Sequence, residues 1–281
     1  MAPTARAAVP FPSILCGVDG SRVAAEAAHQ AAILATAGAR LTLLGVGWDT
    51  GEGLAARATI APHRLAAALE TARLLAQDLG VSATVENVES REETATLLTR
   101  AARHDLLVLG ASSSSRAEGM LAGSTASAAV HASPVPVLLA RRPPAEVAFP
   151  NSILAAIDGT PSSAQVAPTV AALARAHSAR VTVVAPTLPR ARGRDLIADA
   201  IATIAEATGT EPVVLDEHSS AHKAITGAAA SAEVALVVIG SRGLHGVHAL
   251  ASVSERVAHE APCSVLVLRP IAPPHSVAVQ R

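Results

Sequence analysis

The segment "ILCGVDGS" at residues 14–21 returns as "ILAAIDGT" at 153–160. "HDLLVLGASS" at 104–113 returns as "VALVVIGSRG" at 234–243, and "SPVPVLLAR" at 133–141 as "APCSVLVLR" at 261–269. The members of each pair lie roughly 130 residues apart and keep one order, the mark of a unit duplicated head to tail. Whatever one unit folds into, its copy folds into again. The 281 residues are about twice a common domain, so each half is long enough to bury its own core. The repeat implies one domain at 1–142, a proline-bearing linker at about 141–150, a second domain at 151–270 and a loose tail at 271–281.

Within the first half, strand-like and helix-like segments alternate. Residues 13–18 form an apolar strand ending at Asp19-Gly20-Ser21, and an alanine-rich helix over about 23–37 closes at Gly38. A near-continuous apolar strand follows at 40–46, then a helix from Pro62 to Gly80 and an alternating strand at 81–88. An amphipathic helix at 91–103, an apolar strand at 106–109, a short helix at 124–131 and a strand at 136–139 complete the half. The second half repeats this order over 152–269, with less chain between its second and third strands. Alternation of this kind means α/β architecture with parallel strands joined by right-handed crossovers.

An open parallel sheet binds ligands beyond the carboxyl ends of its strands. That rule selects Asp19-Gly20-Ser21 and the loop from Gly110 to Thr125 in the first half. In the second it selects Asp158-Gly159-Thr160 and the loop from Gly240 to Glu255. Gly110 permits close backbone approach, and Gly123-Ser124-Thr125 opens a helix whose free N–H groups and dipole suit a phosphate. Asp19 is placed to accept hydrogen bonds from ribose hydroxyls or an adenine amino group. A plain structural reading competes: Gly110 as a strand-end turn, Ser124 as a helix cap, Asp19 as a cap of the first helix.

Composition narrows the alternatives. With 22 basic and 23 acidic residues, no basic stripe and only Phe11, Trp48 and Phe149 as aromatics, nucleic acid is not an expected partner. No apolar run reaches the ~18 residues that cross a bilayer, and residues 1–10 do not read as a signal peptide, so no membrane partner is expected. Cys16 and Cys263 sit in apolar strand segments, as buried thiols in a reducing cytoplasm would. The single lysine, Lys223, follows no glycine, which excludes a P-loop, and neither Gly-x-Gly-x-x-Gly nor Gly-x-Ser-x-Gly occurs where its chemistry requires. His218, His222, His245 and His248 have ligand-like spacing, but no Cys or carboxylate completes a set, and they read as surface histidines on loops.

Both halves resemble the universal stress protein family, over about 13–141 and 152–269, as a tandem two-domain member. The family's nucleotide-binding branch carries Gly-x2-Gly-x9-Gly-Ser/Thr after the fourth strand. The first half matches with Gly110, Ser113 in place of the second glycine, and Gly123-Ser124. The second has Gly240 and Gly243, then a loop two residues short, with Ala251 in place of the third glycine before Ser252-Val253-Ser254. The resemblance implies an open five-stranded parallel sheet per half with helices on both faces. It further implies an intramolecular pseudo-dimer through 136–139 and 264–268. It assigns nucleotide contacts to Asp19 and Asp158, and an adenine-lining position to Val46 and Ala185. ATP, with Mg²⁺ as its companion, is the implied ligand, the first half being the better site. Function is then regulatory or stress-adaptive binding, with protein partners unspecified and a homodimer possible. The alternatives are a slow ATP hydrolase or nucleotide transferase and a nucleotide-free scaffold; Glu118 and Arg116 are the residues a catalytic reading would use.

Overall fold

The computed structural model describes residues 9–48, 62–111, 124–144, 147–160, 163–186, 191–217, 220–231, 233–241 and 252–269. The first half contributes β1 (Ser13–Gly17), α1 (Arg22–Ala35), β2 (Arg40–Gly47), α2 (Pro62–Asp78), β3 (Ala83–Glu89), α3 (Glu93–Ala101), β4 (Leu106–Gly110), α4 (Ser124–Ala132) and β5 (Val137–Ala140). The second repeats the order with β6 (Ser152–Ala156), α5 (Val166–His177), β7 (Arg180–Pro186), α6 (Ala191–Thr208) and β8 (Val213–Glu217). It closes with α7 (Ala221–Ser231), β9 (Leu236–Gly240), α8 (Val253–Glu260) and β10 (Ser264–Leu268).

All ten strands form one sheet in the order β3-β2-β1-β4-β5-β10-β9-β6-β7-β8. Within each half every pairing is parallel, and the two five-stranded sheets meet in the antiparallel pair β5–β10, with Leu139 opposite Val265 and Val137 opposite Val267. The pseudo-dimer that the family resemblance implies is therefore present in a single chain. Pairing of these two apolar strands removes the edge that each half would otherwise expose to other chains.

Each sheet face carries its own core. Ile14, Cys16, Leu41, Leu43, Leu106 and Val108 face one side under α1 and α2; Leu15, Leu44, Leu107 and Leu109 face the other under α3 and α4. Strands covered on both faces must be apolar at consecutive positions, which is why β1, β4, β9 and β10 carry apolar side chains on both faces. Alanines at 27, 28 and 31 are at most 1% exposed. Their small side chains let α1 approach the sheet closely. Gly38 ends the α1–β2 turn at φ 104°, as its position past the helix predicts. No described helix is long and apolar enough to cross a membrane.

Candidate functional site

Both halves shape the end of their first strand with the same turn. Asp19 Oδ1 accepts the Ser21 N–H at 2.8 Å, Gly20 takes φ 78°, and Ser21 Oγ accepts the Ala24 N–H at 3.1 Å to start α1. In the second half Asp158 Oδ1 accepts the Thr160 N–H at 3.0 Å and its hydroxyl at 2.6 Å, with Gly159 at φ 70°. A positive φ between Asp and a hydroxyl residue is what glycine supplies without a Cβ penalty. The cap of α1 is therefore Ser21 and not Asp19, which closes the turn ahead of it with one oxygen of its carboxylate.

A cavity of about 220 Å³ opens beside this turn, at the carboxyl ends of β1 and β4. Asp19, Val46, Gly110 and Thr125 all line it, together with Leu44, Leu97, Leu109 and Ala126. Four of the positions singled out from the sequence therefore converge. Gly20 and Ser21 belong to the adjoining turn, and Ser124 opens α4. Ser113, Gly123, Arg116 and Glu118 lie outside the described residues.

Gly110 has a packing reason of its own. A Cβ placed there would lie 2.4 Å from both the carbonyl carbon and the oxygen of Val23, in the first turn of α1. Only glycine lets β4 and α1 meet at this distance.

Sequence reasoning missed Glu93. It opens α3, lines the same cavity, and its carboxyl is raised above the usual carboxylate range by burial first and by the Asp19 charge second. The signal was available in the spacing, because Glu93 and the core residue Leu97 are four apart and share a helix face. The lining offers an apolar wall (Val46, Leu97, Leu109), one hydroxyl (Thr125) and two carboxylates. This donor set fits a nucleoside: apolar surface for a base, acceptors for hydroxyls or an amino group. Two carboxylates oppose a bare polyphosphate unless a cation accompanies it.

The second half holds a smaller cavity of about 90 Å³, lined by Asp158, Gly240, Ser252, Val253 and Ser254. Ala221 and Ile225 of α7 take the places that Glu93 and Leu97 hold in α3, so among the described residues this cavity has no second carboxylate. Gly159 and Thr160 form the adjoining turn, and Gly243 lies outside the described residues.

Ala185 does not reach the cavity. Strand register pairs Ser13 with Arg40 and Ser152 with Arg180, so Val46 corresponds to Pro186 and Ala185 to Gly45. Ala185 packs with Ile153 and Val183 on the opposite sheet face. A slip of one residue turns a strand side chain to the other side. The histidine reading also needs correction: His222 is on α7, buried, with Nδ1 2.7 Å from Arg256 Nη2. His218, His245 and His248 lie outside the described residues.

The universal stress protein family model matches residues 10–141 and 185–269. A universal stress protein from Archaeoglobus fulgidus DSM 4304 superposes with a TM-score of 0.71 at 19% identity, over 92% of this chain and 96% of its own. The functionally unknown protein PA1789 from Pseudomonas aeruginosa PAO1 superposes with a TM-score of 0.64 at 19% identity, over 94% of each chain. At these identities the superpositions establish the fold. No curated protein matches the chain significantly. The family match skips residues 142–184, where β6 and α5 nonetheless repeat β1 and α1. With matches in both halves and one duplicated sheet, the chain belongs to the universal stress protein family.

Proposed function

We propose that this chain binds an adenine nucleotide in the first-half cavity and serves as a regulatory or stress-adaptation protein rather than a catalyst. The observation that carries this reading is the convergence of Asp19, Val46, Gly110 and Thr125 on one cavity of about 220 Å³. Val46, Leu97 and Leu109 would receive the base, and Asp19 the ribose hydroxyls. Phosphates would extend toward the start of α4, because a helix N-terminus turns its N–H groups and positive dipole end toward negative charge. ATP is the ligand proposed, and Mg²⁺, when bound with it, would offset repulsion from Asp19 and Glu93. The second cavity, about 90 Å³ and lacking the Glu93 counterpart, is the weaker site.

Glu93 is the one observation that favours hydrolysis instead, since a carboxyl with a raised pKa facing a cleft suits proton transfer. Among the described residues no second group is placed to work with it as a nucleophile's base, and binding is the better account. Titration calorimetry of the full chain with ATP and Mg²⁺ tests this reading, together with Asp19→Asn, which keeps the turn's acceptor and removes its charge. One dominant site in the micromolar range, weakened about tenfold or more in the variant, is the expected result. No heat at millimolar ATP would sink the nucleotide reading; phosphate release that Glu93→Gln abolishes would replace binding with catalysis.

A further inference from the structure

The two last repeat segments, "SPVPVLLAR" and "APCSVLVLR", both end in arginine. Each arginine crosses into the other half. Arg141, following β5 and 2% exposed, donates to the carbonyl of Ala258 in the last turn of α8 and to that of Cys263 just before β10. Arg269, following β10, donates to the carbonyls of Ala129 (2.9 Å) and Val130 at the end of α4. A cation at a helix C-terminus meets the last carbonyls, of which that of Ala129 also accepts the Ser133 N–H, and the negative dipole end, so each half clamps the last helix of the other.

Those same two helices begin at the cavities. Thr125 and Ala126 of α4 line the first, and Val253 and Ser254 of α8, with the cap Ser252, line the second. Glu255 ties the two ends of this arrangement together. Its N–H is held by Ser252 Oγ at 3.2 Å, while its carboxylate, 6% exposed, meets His131 Nε2 of α4 at 2.8 Å and lies 3.7 Å from His259 Nε2. At about 1.5 Å per residue these short helices run only ~13 Å from cavity wall to clamp. Over such a distance a helix moves as a body.

The joint also has hydrogen-bonding capacity that is not used. Arg141 Nε, Glu255 Oε2, His259 Nδ1 and Arg269 Nε are buried without partners. His259 interacts electrostatically with both Glu255 and Arg141, while Arg269 lies at the other end of the β5–β10 pair, so unused bonding capacity sits at both ends of the joint.

We propose that the two cavities are coupled through α4 and α8: occupancy of the first-half cavity shifts α4, and the His131–Glu255 and arginine contacts pass the shift to the wall of the second. This rests on the nucleotide reading of the first cavity. Coupling between two sites typically changes affinity by about 5- to 150-fold, and it is reciprocal.

Hydrogen exchange on the full chain, with and without ATP and Mg²⁺, tests it. Slower exchange is expected in residues 124–132 and also in 253–260. Ala156→Leu fills the second cavity, and there the effect on 253–260 should persist. His131→Ala, a change at a partly exposed position, should reduce that effect by more than half while leaving protection of 124–132 intact. Arg269→Met should do the same if it folds. Protection confined to the first half would overturn the coupling and leave the nucleotide reading standing, as would an effect on 253–260 unchanged by His131→Ala or lost in Ala156→Leu. Protection in neither half would overturn both.

Discussion

Replacing Gly110 by alanine puts a methyl group where the backbone of α1 already is. The added Cβ would sit 2.4 Å from the Val23 carbonyl carbon and oxygen and 2.7 Å from the Ala24 nitrogen. Ordinary contact starts near 3.4 Å, so the first turn of α1 must retreat by about 1 Å. Nothing there is a flexible side-chain tip. The Ala24 N–H is held by the Ser21 cap, and Ala27, Ala28 and Ala31 are packed at 0–1% exposure just beyond. Overpacking a core of this kind costs roughly 1–3 kcal/mol, and a backbone obstacle points to the upper part of that range. Urea unfolding should show the midpoint lowered at constant slope. Gly227→Ala is the matched control: it lies within α7, a Cβ there meets nothing within 4 Å, and the change should stabilise by ~0.5–1 kcal/mol. Should Gly110→Ala fall within about 0.5 kcal/mol of wild type, close packing would not be what dictates glycine there. The retreat would also displace Val23 and Ala24 from the cavity wall, so ATP affinity should fall with stability.

Two further outcomes follow from burial and charge. Cys16 and Cys263 are both fully buried, and desolvation pushes the Cys263 thiol up to about 12 and Cys16 higher still. Neither should react with a thiol reagent in the folded protein at pH 8, and both should react in denaturant; fast labelling of the native chain would contradict the packing. Glu93 has a folded pKa above its unfolded value, so its proton favours the folded state below that unfolded value, and this contribution is lost as pH rises through the folded pKa. Glu93 keeps more than a third of its surface exposed, which screens the effect, so Glu93→Gln should raise the melting temperature at pH 7 only slightly and lose that advantage below about pH 4.5; a lowered melting temperature at pH 7 would refute the argument.

Much of this protein was legible as text. The duplication and the parallel α/β order follow from apolar runs and repeated segments, because burial on both sheet faces leaves little latitude in composition, whereas the pairing of the last strands was expected only from the family resemblance. The Asp-Gly-Ser and Asp-Gly-Thr turns were readable too, since a positive φ between an Asp and a hydroxyl residue favours glycine. Other features were decided only in three dimensions. Ala185 was misplaced because side-chain direction alternates with register, and register is set by pairing with β6, distant in sequence. Glu93 entered the site because the α3 crossover lays its first turn over the cavity. Gly110 proved to answer to Val23, a partner far away along the chain. The reciprocal grip of Arg141 and Arg269 was invisible in sequence: a terminal arginine after a strand is unremarked until antiparallel β5–β10 pairing brings each beside the opposite half's last helix. Local chemistry is written in neighbouring residues, whereas a site made from several strand ends and a joint made from two halves exist only once the sheet has set their distances.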